Sequence, residues 1–444
     1  MPTATARINI SELLANSRIG PIQIRVFALC LLALVIDGFD VQAMGYVVPA
    51  LSTAWGVPPA EFRTVLPAAN FGVLIGSLVF SPLADKVGRR PVLIWSTLWF
   101  ALATLGAASA GNVTQLFWLR FVAGIGMGCI IPNATALIGE YSPAGRRVTL
   151  MMTITVGFTA GGAIAGFVAR ALIPSFGWQS VFVVGGGIPL VIAIAMLAAL
   201  PESLQFLAVR RRAAQVRRWL RELDPTISVN ETTEYVTNEE SKGGMPFMHL
   251  FSDGRALVTI LLWVVSFMNL LNLYSLSNWL PTVVNGMGYD QNTAVLVGTL
   301  LQVGGTIGTF GLAWAIARSG FTRTLTLNYA LAAISIAVIG QPGLSLALLT
   351  VIVFVAGWCV VGGQPGMNAF AATFYPTYLR STGVGWALGI GRIGAIVGPY
   401  IGGVMIGAKW TSQQLFWAAA LPAVISALTL MILTKVVGNK VQAN

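Results

Sequence analysis

The stretch VFALCLLALVIDGFDVQAMGYVVPA (residues 26–50) decides the fold, because its only charged side chains are Asp37 and Asp40. A helix of roughly 20 mostly apolar residues crosses the hydrocarbon core of a bilayer. Barrel strands need only about 9–11 alternating residues, so a stretch of this length predicts a helix. Eleven similar stretches follow, at 62–84, 91–110, 114–139, 148–171, 178–200, 255–279, 292–317, 322–341, 344–371, 381–407 and 412–436. The sequence therefore predicts an all-α polytopic membrane protein with twelve transmembrane helices.

The composition also favours a membrane protein. Hydrophobic residues form 56% of the 444 residues and charged residues only 9%, whereas an ordinary soluble domain carries about 25% charged residues. Residues 1–25 contain no apolar core of a cleavable signal peptide, so we expect the first span to direct membrane insertion. Cys30, Cys129 and Cys359 lie in apolar runs and His249 is the single histidine. We therefore expect no disulfide framework, no metal site and no cofactor.

Positive charge is distributed unevenly among the loops. If both termini are cytoplasmic, the inner segments hold 21 of the 26 lysines and arginines, the outer segments hold three, and Arg120 and Arg392 lie inside spans. Loops rich in Lys and Arg stay on the cytoplasmic side. The net charge of +11 then requires no nucleic acid as a partner. We expect a multi-pass protein of the bacterial inner membrane, surrounded by lipid and functional as a monomer, with both termini in the cytoplasm.

Two short motifs repeat at an interval of about 230 residues. YSPAGRR (141–147) follows the fourth span, and YPTYLR (375–380) follows the tenth; both contain Pro-x-x-x-Arg. The alternative to a repeat is chance similarity between two short loops. A repeat predicts two six-helix halves, with a substrate site near the bilayer midplane between them.

The halves are predicted to be residues 1–200 and 255–444, joined by a cytoplasmic connection over 201–254. This connection contains RRRAAQVRRWLREL (210–223), which predicts a basic amphipathic helix at the membrane surface.

These motifs resemble the major facilitator superfamily. DKVGRR (85–90) is similar to the superfamily's signature between spans 2 and 3, although Ser81 stands where a glycine is usual. RFVAGIG (120–126) resembles its span-4 motif, and DGFD (37–40) and RSTGVGWALGIGRIGAIVGP (380–399) resemble the aromatic acid:proton symporter family within it. The resemblance implies the major facilitator fold and alternating-access import of a small aromatic carboxylate, such as a hydroxybenzoate, with a proton.

Four charged side chains fall at membrane depth, where an unpaired charge costs several kcal/mol. Asp37 and Asp40 share a face of the first span. Burial and a like-charged neighbour both favour the neutral acid, so this pair is predicted to carry the transported proton. Arg120 matches the depth of Asp40. Arg392 has no acidic residue in its own half, so it can bind a substrate carboxylate through two parallel hydrogen bonds.

The alternative is that Arg120 and Asp40 form only a structural ion pair and that Arg392 bonds backbone carbonyl groups. Intramembrane amides also more often join helices than bind ligands. The predicted substrate-binding residues are Arg392, Arg120, Asn269, Asn272, Tyr274, Gln302, Gln364, Asn368, Trp386 and Phe39. The amides could bind a ring hydroxyl, and the aromatic residues could stack on a ring. Asn269 and Asn272 are predicted to share one face of the seventh span.

A second charged group lies at the cytoplasmic rim and is predicted to form a gate between the halves. Its members are Asp85, Arg89, Arg90, Glu140, Arg146 and Arg147. Such a cluster can join the halves in one state and release them in the other. The alternative is ordinary positive-inside charge, but that rule does not require the two acids.

An enzyme is disfavoured, because no Ser/His/Asp set, metal cluster or phosphate-binding loop is evident in the sequence. The remaining alternative is a proton-coupled carrier of a sugar or of another organic anion. Arg392 favours an anion over a neutral sugar.

Overall fold

The computed structural model describes residues 7–223, 233–236, 247–252, 254–375 and 377–442. In these residues, twelve helical spans are long and apolar enough to cross a membrane. Numbered as spans 1 to 12, they are Pro21–Trp55, Val65–Val87, Arg89–Ala107, Val113–Met127 with Ile130–Tyr141, Arg147–Phe176, Gln179–Ala199, Ala256–Gly286, Gln291–Ser319, Phe321–Ile339, Leu346–Phe374, Thr377–Gly407 and Ser412–Gln442. The predicted twelve-helix membrane fold is confirmed.

Span 4 consists of two helices, which are separated by a break at Gly128 and Cys129. A side chain at Gly128 would collide with the backbone of span 2 at Val73, so glycine permits the close approach there. The side-chain amide of Asn133 donates a 2.8 Å hydrogen bond to the carbonyl of Cys129, which also accepts the backbone N–H of Asn133 at the start of the second helix.

Short elements lie outside the spans. They are the helices Ile10–Asn16, Leu204–Val209 and Ala213–Leu223, the 3-10 helices Pro59–Arg63, Ala144–Arg146 and Met248–Leu250, and the strands Arg7–Asn9 and Glu234–Val236. The predicted basic helix at 210–223 corresponds to Ala213–Leu223, which buries Val216 and Leu220. The two strands pair in parallel. The all-helical prediction missed them, because a three-residue strand gives no periodic signal.

The spans pack with an internal symmetry. Span 1 packs on span 5, span 2 on span 4 and span 3 on span 6; spans 7 on 11, 8 on 10 and 9 on 12 repeat these pairs. Between the two sets, span 5 contacts span 8 and span 2 contacts span 11. When spans 1–6 are exchanged with spans 7–12, the contact of span 5 with span 8 becomes the contact of span 11 with span 2. The predicted repeat of two six-helix halves is therefore confirmed. The division at residues 200 and 255 stays a prediction.

The bundle has two distinguishable ends. We call the end that carries the loops at 86–90 and 142–147 the basic end, and the opposite end the far end. The halves meet closely at the far end, where Gly45 of span 1 lies against Asn278 of span 7 and Gly403 of span 11 lies against Arg63. Small residues permit such close approach of helices.

Candidate functional site

A cavity of about 120 Å³ lies between the halves, and we call it the central cavity. Sites for drug-sized ligands enclose about 300–1,000 Å³, so this cavity suits a small ligand. Of the predicted residues, its walls include Tyr274, Gln302, Gln364, Asn368 and Arg392. The structure adds residues that sequence reasoning missed, namely Gln42, Thr155, Phe158 and Thr159. Mid-span polar residues on spans 1 and 5 were the signal that could have identified them.

Arg392 of the second half and Asp37 of the first half lie within electrostatic range of one another. Arg392 lines the cavity and is half-buried, and the guanidinium interacts electrostatically with Asp37 and with Tyr274. Asp37 is only 3% exposed. Neither side chain makes a hydrogen bond or a close ion pair within the residues that the structure describes. Arg392 therefore has donors available for an anionic ligand in the cavity.

A row of amides joins span 7 to span 10 at the same depth. Asn269 Nδ2 donates to Gln364 Oε1 at 2.6 Å, and Gln364 Nε2 donates to Asn368 Oδ1 at 3.0 Å. On span 8, Gln302 Nε2 donates to Ser277 Oγ at 2.9 Å. Gln302, Gln364 and Asn368 also line the cavity and can supply polar contacts to a ligand, whereas Asn269 lies behind them and bonds to Gln364.

Arg120 lies outside the central cavity and is bound to Asp40. Its Nη1 donates to Asp40 Oδ1 at 2.8 Å and its Nη2 donates to Asp40 Oδ2 at 2.6 Å. Thr104 Oγ1 also donates to Asp40 Oδ1, and the ring of Phe182 lies 5.8 Å from the guanidinium carbon. The pair is enclosed within the first half, with each side chain 1% exposed. This bidentate arrangement corresponds to the structural alternative and leaves Arg120 few donors for a substrate.

Three other predicted residues lie away from the central cavity. Phe39 is buried against Gly185 of span 6. Trp386 is 42% exposed and contacts Phe247, with ring centroids 4.5 Å apart. Asn272 lines a different cavity between spans 7, 11 and 12, whereas Asn269 bonds to Gln364 of span 10. Sequence spacing fixes the angle between two residues of a helix, but it does not fix which face meets the other half.

Three of the predicted gate residues, Arg89, Arg90 and Glu140, bond within the first half. Arg89 pairs with Glu140, which also accepts a hydrogen bond from Ser203 Oγ. Arg90 Nη2 donates to the carbonyl of Leu197 at 2.7 Å. The side chain of Asp85 lies outside the described part of the structure. Arg146 is exposed and Arg147 is half-buried at the start of span 5, and neither forms a close ion pair with a described acid.

Glu202 completes this cluster and was missed by sequence reasoning. Its Oε1 accepts backbone N–H bonds from Arg89 at 2.9 Å and from Arg90 at 3.1 Å, which are the first two residues of span 3. Burial has the largest effect on Glu202 and raises the pKa of its carboxyl, against backbone hydrogen bonds that lower it. An acid directly after span 6, ahead of a basic connection, was the available signal.

The two repeated halves and the cavity between them define a membrane transporter. The family model of the Major Facilitator Superfamily matches residues 30–344, and the chain belongs to this superfamily. It is therefore a carrier and not an enzyme.

Curated relatives match almost the whole chain. A 4-hydroxybenzoate transporter of Pseudomonas aeruginosa is 37% identical over 97% of this chain and 96% of the relative. A gallate transporter of Pseudomonas putida is 36% identical, with the same coverage of both chains. These relatives confirm the predicted relationship to the aromatic acid:proton symporter family.

One solved structure extends the comparison to the fold. A bacterial homologue of the human lysosomal transporter Spinster, in an inward-facing and occupied conformation, matches with a TM-score of 0.73. The two chains are 17% identical, and the match covers 94% of this chain and 98% of the other. This likeness supports the fold alone.

Proposed function

We propose that the protein imports a small aromatic carboxylate together with a proton, by alternating access across the bacterial inner membrane. It acts as a monomer with the basic end and both termini in the cytoplasm. The names of the two relatives described above support the substrate class, since 4-hydroxybenzoate and gallate are both aromatic carboxylates. The arrangement in which the halves meet at the far end then corresponds to an inward-facing state.

The observation that carries this proposal is Arg392, which lines the central cavity without a hydrogen bond or close ion pair to a described residue and lies within electrostatic range of the buried Asp37. A carboxylate offers two parallel acceptors that match the guanidinium fork. The aromatic ring of the substrate then lies beside Phe158 and Tyr274, which line the cavity. Gln364 and Asn368 are near enough to the same space to bond a ring hydroxyl.

The same pair gives a route to proton coupling. Entry of a monoanion into a cell that is negative inside is opposed by about 2.3 kcal/mol per 100 mV, so accumulation requires a co-ion. When a substrate carboxylate neutralises Arg392, Asp37 loses a stabilising positive charge. The neutral, protonated form of Asp37 is then favoured, so substrate binding and proton binding assist one another.

We further propose that the cluster of Arg89, Arg90 and Glu140 acts with Asp85, Arg146 and Arg147 as the cytoplasmic gate. In the inward-facing state its described members bond within the first half. Closure of the cytoplasmic side brings this rim against the second half, where the charges can form new contacts.

The test compares an aromatic acid with its neutral amide in Arg392→Lys. We expect 4-hydroxybenzoate to bind more weakly by about 1.5–3 kcal/mol, the range for hydrogen bonds to charged groups, and 4-hydroxybenzamide to change much less. Binding to the purified carrier is the measurement, with a hexose as a competitor for the sugar alternative.

Arg120→Lys is the matched control, because Arg120 serves Asp40 and should affect the acid and the amide equally. Equal weakening of both ligands in Arg392→Lys would make Arg392 structural and remove the bottom-up reason to prefer an acid over a sugar.

A further inference from the structure

A second cavity, larger than the central one, lies within the second half between spans 7, 11 and 12. We call it the lateral cavity; its volume is about 280 Å³. It uses the opposite face of span 7 from the central cavity, since Asn272 and Ser275 line the lateral cavity whereas Leu273 and Tyr274 line the central one. The two cavities are therefore separate spaces.

The shape of the lateral cavity is elongated and its rim faces the outer surface of the bundle. Along span 7 it extends from Met268 to Val283, about 22 Å at 1.5 Å per residue. Two of its lining residues, Ile401 and Leu421, are 43% and 60% exposed on the apolar surface of the spans. A molecule dissolved in the bilayer can therefore reach this cavity from the side.

Asn272 is a buried amide in an otherwise largely apolar wall. It is 2% exposed, and within the described residues its side-chain oxygen, Oδ1, has no hydrogen-bond partner. A buried polar group without a partner costs about 1–3 kcal/mol, and nearly all such groups in proteins are bonded. A hydrogen-bond donor that enters the lateral cavity would satisfy this oxygen.

The position of Asn272 restricts what that molecule can be. The residue lies sixteen positions after Ala256 in a helix of 31 residues, near the middle of the span. A phospholipid headgroup stays at the membrane surface, and an acyl chain carries no hydrogen-bonding group. A charged ligand is disfavoured as well, because none of the described residues that line the cavity carries a charge.

We propose that the lateral cavity binds a neutral alkylphenol-like molecule that enters from the bilayer. Its hydroxyl bonds to the amide of Asn272, and its apolar body lies along Trp279 and Phe416, which both line the cavity. The indole N–H of Trp279 already donates to the carbonyl of Pro399 at 2.7 Å, so that ring is held in place as an apolar wall. This site is independent of the proposed transport substrate.

The experiment uses 4-hexylphenol with a diazirine in its tail as a photolabel on the full chain in phospholipid nanodiscs. We expect saturable labelling near Met268 and Met405, which line the cavity, and its displacement by unlabelled 4-hexylphenol. In Asn272→Leu, displacement should need about three- to ten-fold more 4-hexylphenol, because one hydrogen bond is lost. Displacement by hexylbenzene, which has no hydroxyl, should stay unchanged.

A second variant, Ala419→Phe, fills the cavity from span 12 and should abolish the labelling even where Asn272→Leu folds poorly. Labelling that does not saturate, or that persists in Ala419→Phe, would mean that only bulk lipid chains occupy the crevice. Equal loss of 4-hexylphenol and hexylbenzene in Asn272→Leu would also overturn the proposal.

Discussion

Two arginines at membrane depth differ in what surrounds them. Arg120 is enclosed with Asp40, which accepts from both terminal nitrogens of the guanidinium and also from Thr104. Arg392 is half-buried in the central cavity and is affected by Asp37 only over a distance. A buried pair becomes costly when one partner is removed, whereas an open arginine is available to a ligand. The same residue type is thus structural at one position and a candidate for recognition at the other.

Asp37→Asn tests the coupling of transport to protons. The variant keeps the size of the side chain but cannot exchange a proton, so we expect it to abolish accumulation against a gradient. Exchange of external for internal substrate, which needs no net proton movement, should persist. Uptake of labelled 4-hydroxybenzoate into proteoliposomes with an imposed pH gradient measures both. Normal accumulation in Asp37→Asn would reject Asp37 as the proton carrier.

Asp40→Asn is expected to fail for a different reason. It leaves Arg120 buried without a counter-charge, a change that destabilises proteins by about 3–5 kcal/mol. The thermal midpoint of the detergent-purified protein should therefore fall in Asp40→Asn and remain near the wild-type value in Asp37→Asn. If Asp40→Asn also unfolds at the wild-type temperature, the ion pair of Asp40 with Arg120 does not stabilise the fold.

At the scale of elements, glycines set the distance between spans 1 and 5. A side chain at Gly38 would meet the backbone of Phe158, and one at Gly161 would meet the carbonyl of Val35. Each helix thus contributes a glycine where the other helix's backbone approaches it. This close contact positions Asp37 and Asp40 within the first half.

Gly38→Ala should therefore destabilise the protein. Backbone atoms cannot move aside as a flexible side chain can, and overpacking of this kind costs about 1–3 kcal/mol. Gly187→Ala in span 6 is the matched control, since no heavy atom lies within 4 Å of its added carbon. Alanine in place of a mid-helix glycine gains about 0.5–1 kcal/mol. We therefore expect the thermal midpoint to fall in Gly38→Ala and to rise in Gly187→Ala. A fall in both variants would indicate a general effect of replacing helical glycines.

Glu202 stabilises the start of span 3, where the first backbone N–H groups of a helix have no partner inside it. Its Oε1 accepts the N–H groups of Arg89 and Arg90 and so satisfies two of these donors. The glycine at the N-cap, Gly88, supplies no side chain for this purpose. An acid from the segment after span 6 thus replaces a local cap.

This arrangement predicts how stability depends on pH. Because burial raises the pKa of Glu202 above its ordinary value of 4.5, the stability it contributes is complete below pH 4.5 and is lost as the pH rises through the folded pKa. Glu202→Gln retains an acceptor oxygen but cannot titrate. As the pH rises above 4.5, the thermal midpoint of the wild type should fall relative to that of Glu202→Gln. A difference independent of pH would contradict this assignment.

At the scale of the whole molecule, the two halves are repeated and meet chiefly through spans 1, 2, 5, 7, 8 and 11. Far-end contacts include Tyr46, whose hydroxyl donates to the carbonyl of Gly298 at 3.4 Å. Transport requires these contacts to open while the basic end closes, a rocking motion of one half against the other.

A disulfide between Ala60→Cys and Gly407→Cys should block this motion. The Cβ of Ala60 lies 3.4 Å from the position of a Cβ at Gly407, close to the usual disulfide spacing of about 3.5–4.5 Å. The native cysteines are buried, so they should not compete. Oxidation should stop uptake in the double variant, and reduction should restore it. Each single variant is a control; uptake that continues after complete cross-linking would exclude opening at the far end.

The number of spans, the repeated halves and the four charges at membrane depth could all be predicted from the amino-acid sequence. These properties follow from hydropathy and spacing along the chain, because a bilayer requires a long apolar helix wherever the chain crosses it. The motifs also identified the superfamily. Arg392, Tyr274 and Gln364 were identified as cavity residues for the same reason, since polar groups near mid-depth require partners.

Only the tertiary structure decided which polar residues share a space. The helical repeat leaves the rotation of each span free, so Asn272, Trp386 and Phe39 could not be assigned to a cavity from sequence alone. The bidentate pair of Arg120 with Asp40 and the capping of span 3 by Glu202 join residues 80 and more than 110 positions apart. Contacts at such separations depend on how whole helices pack, and no local pattern records that.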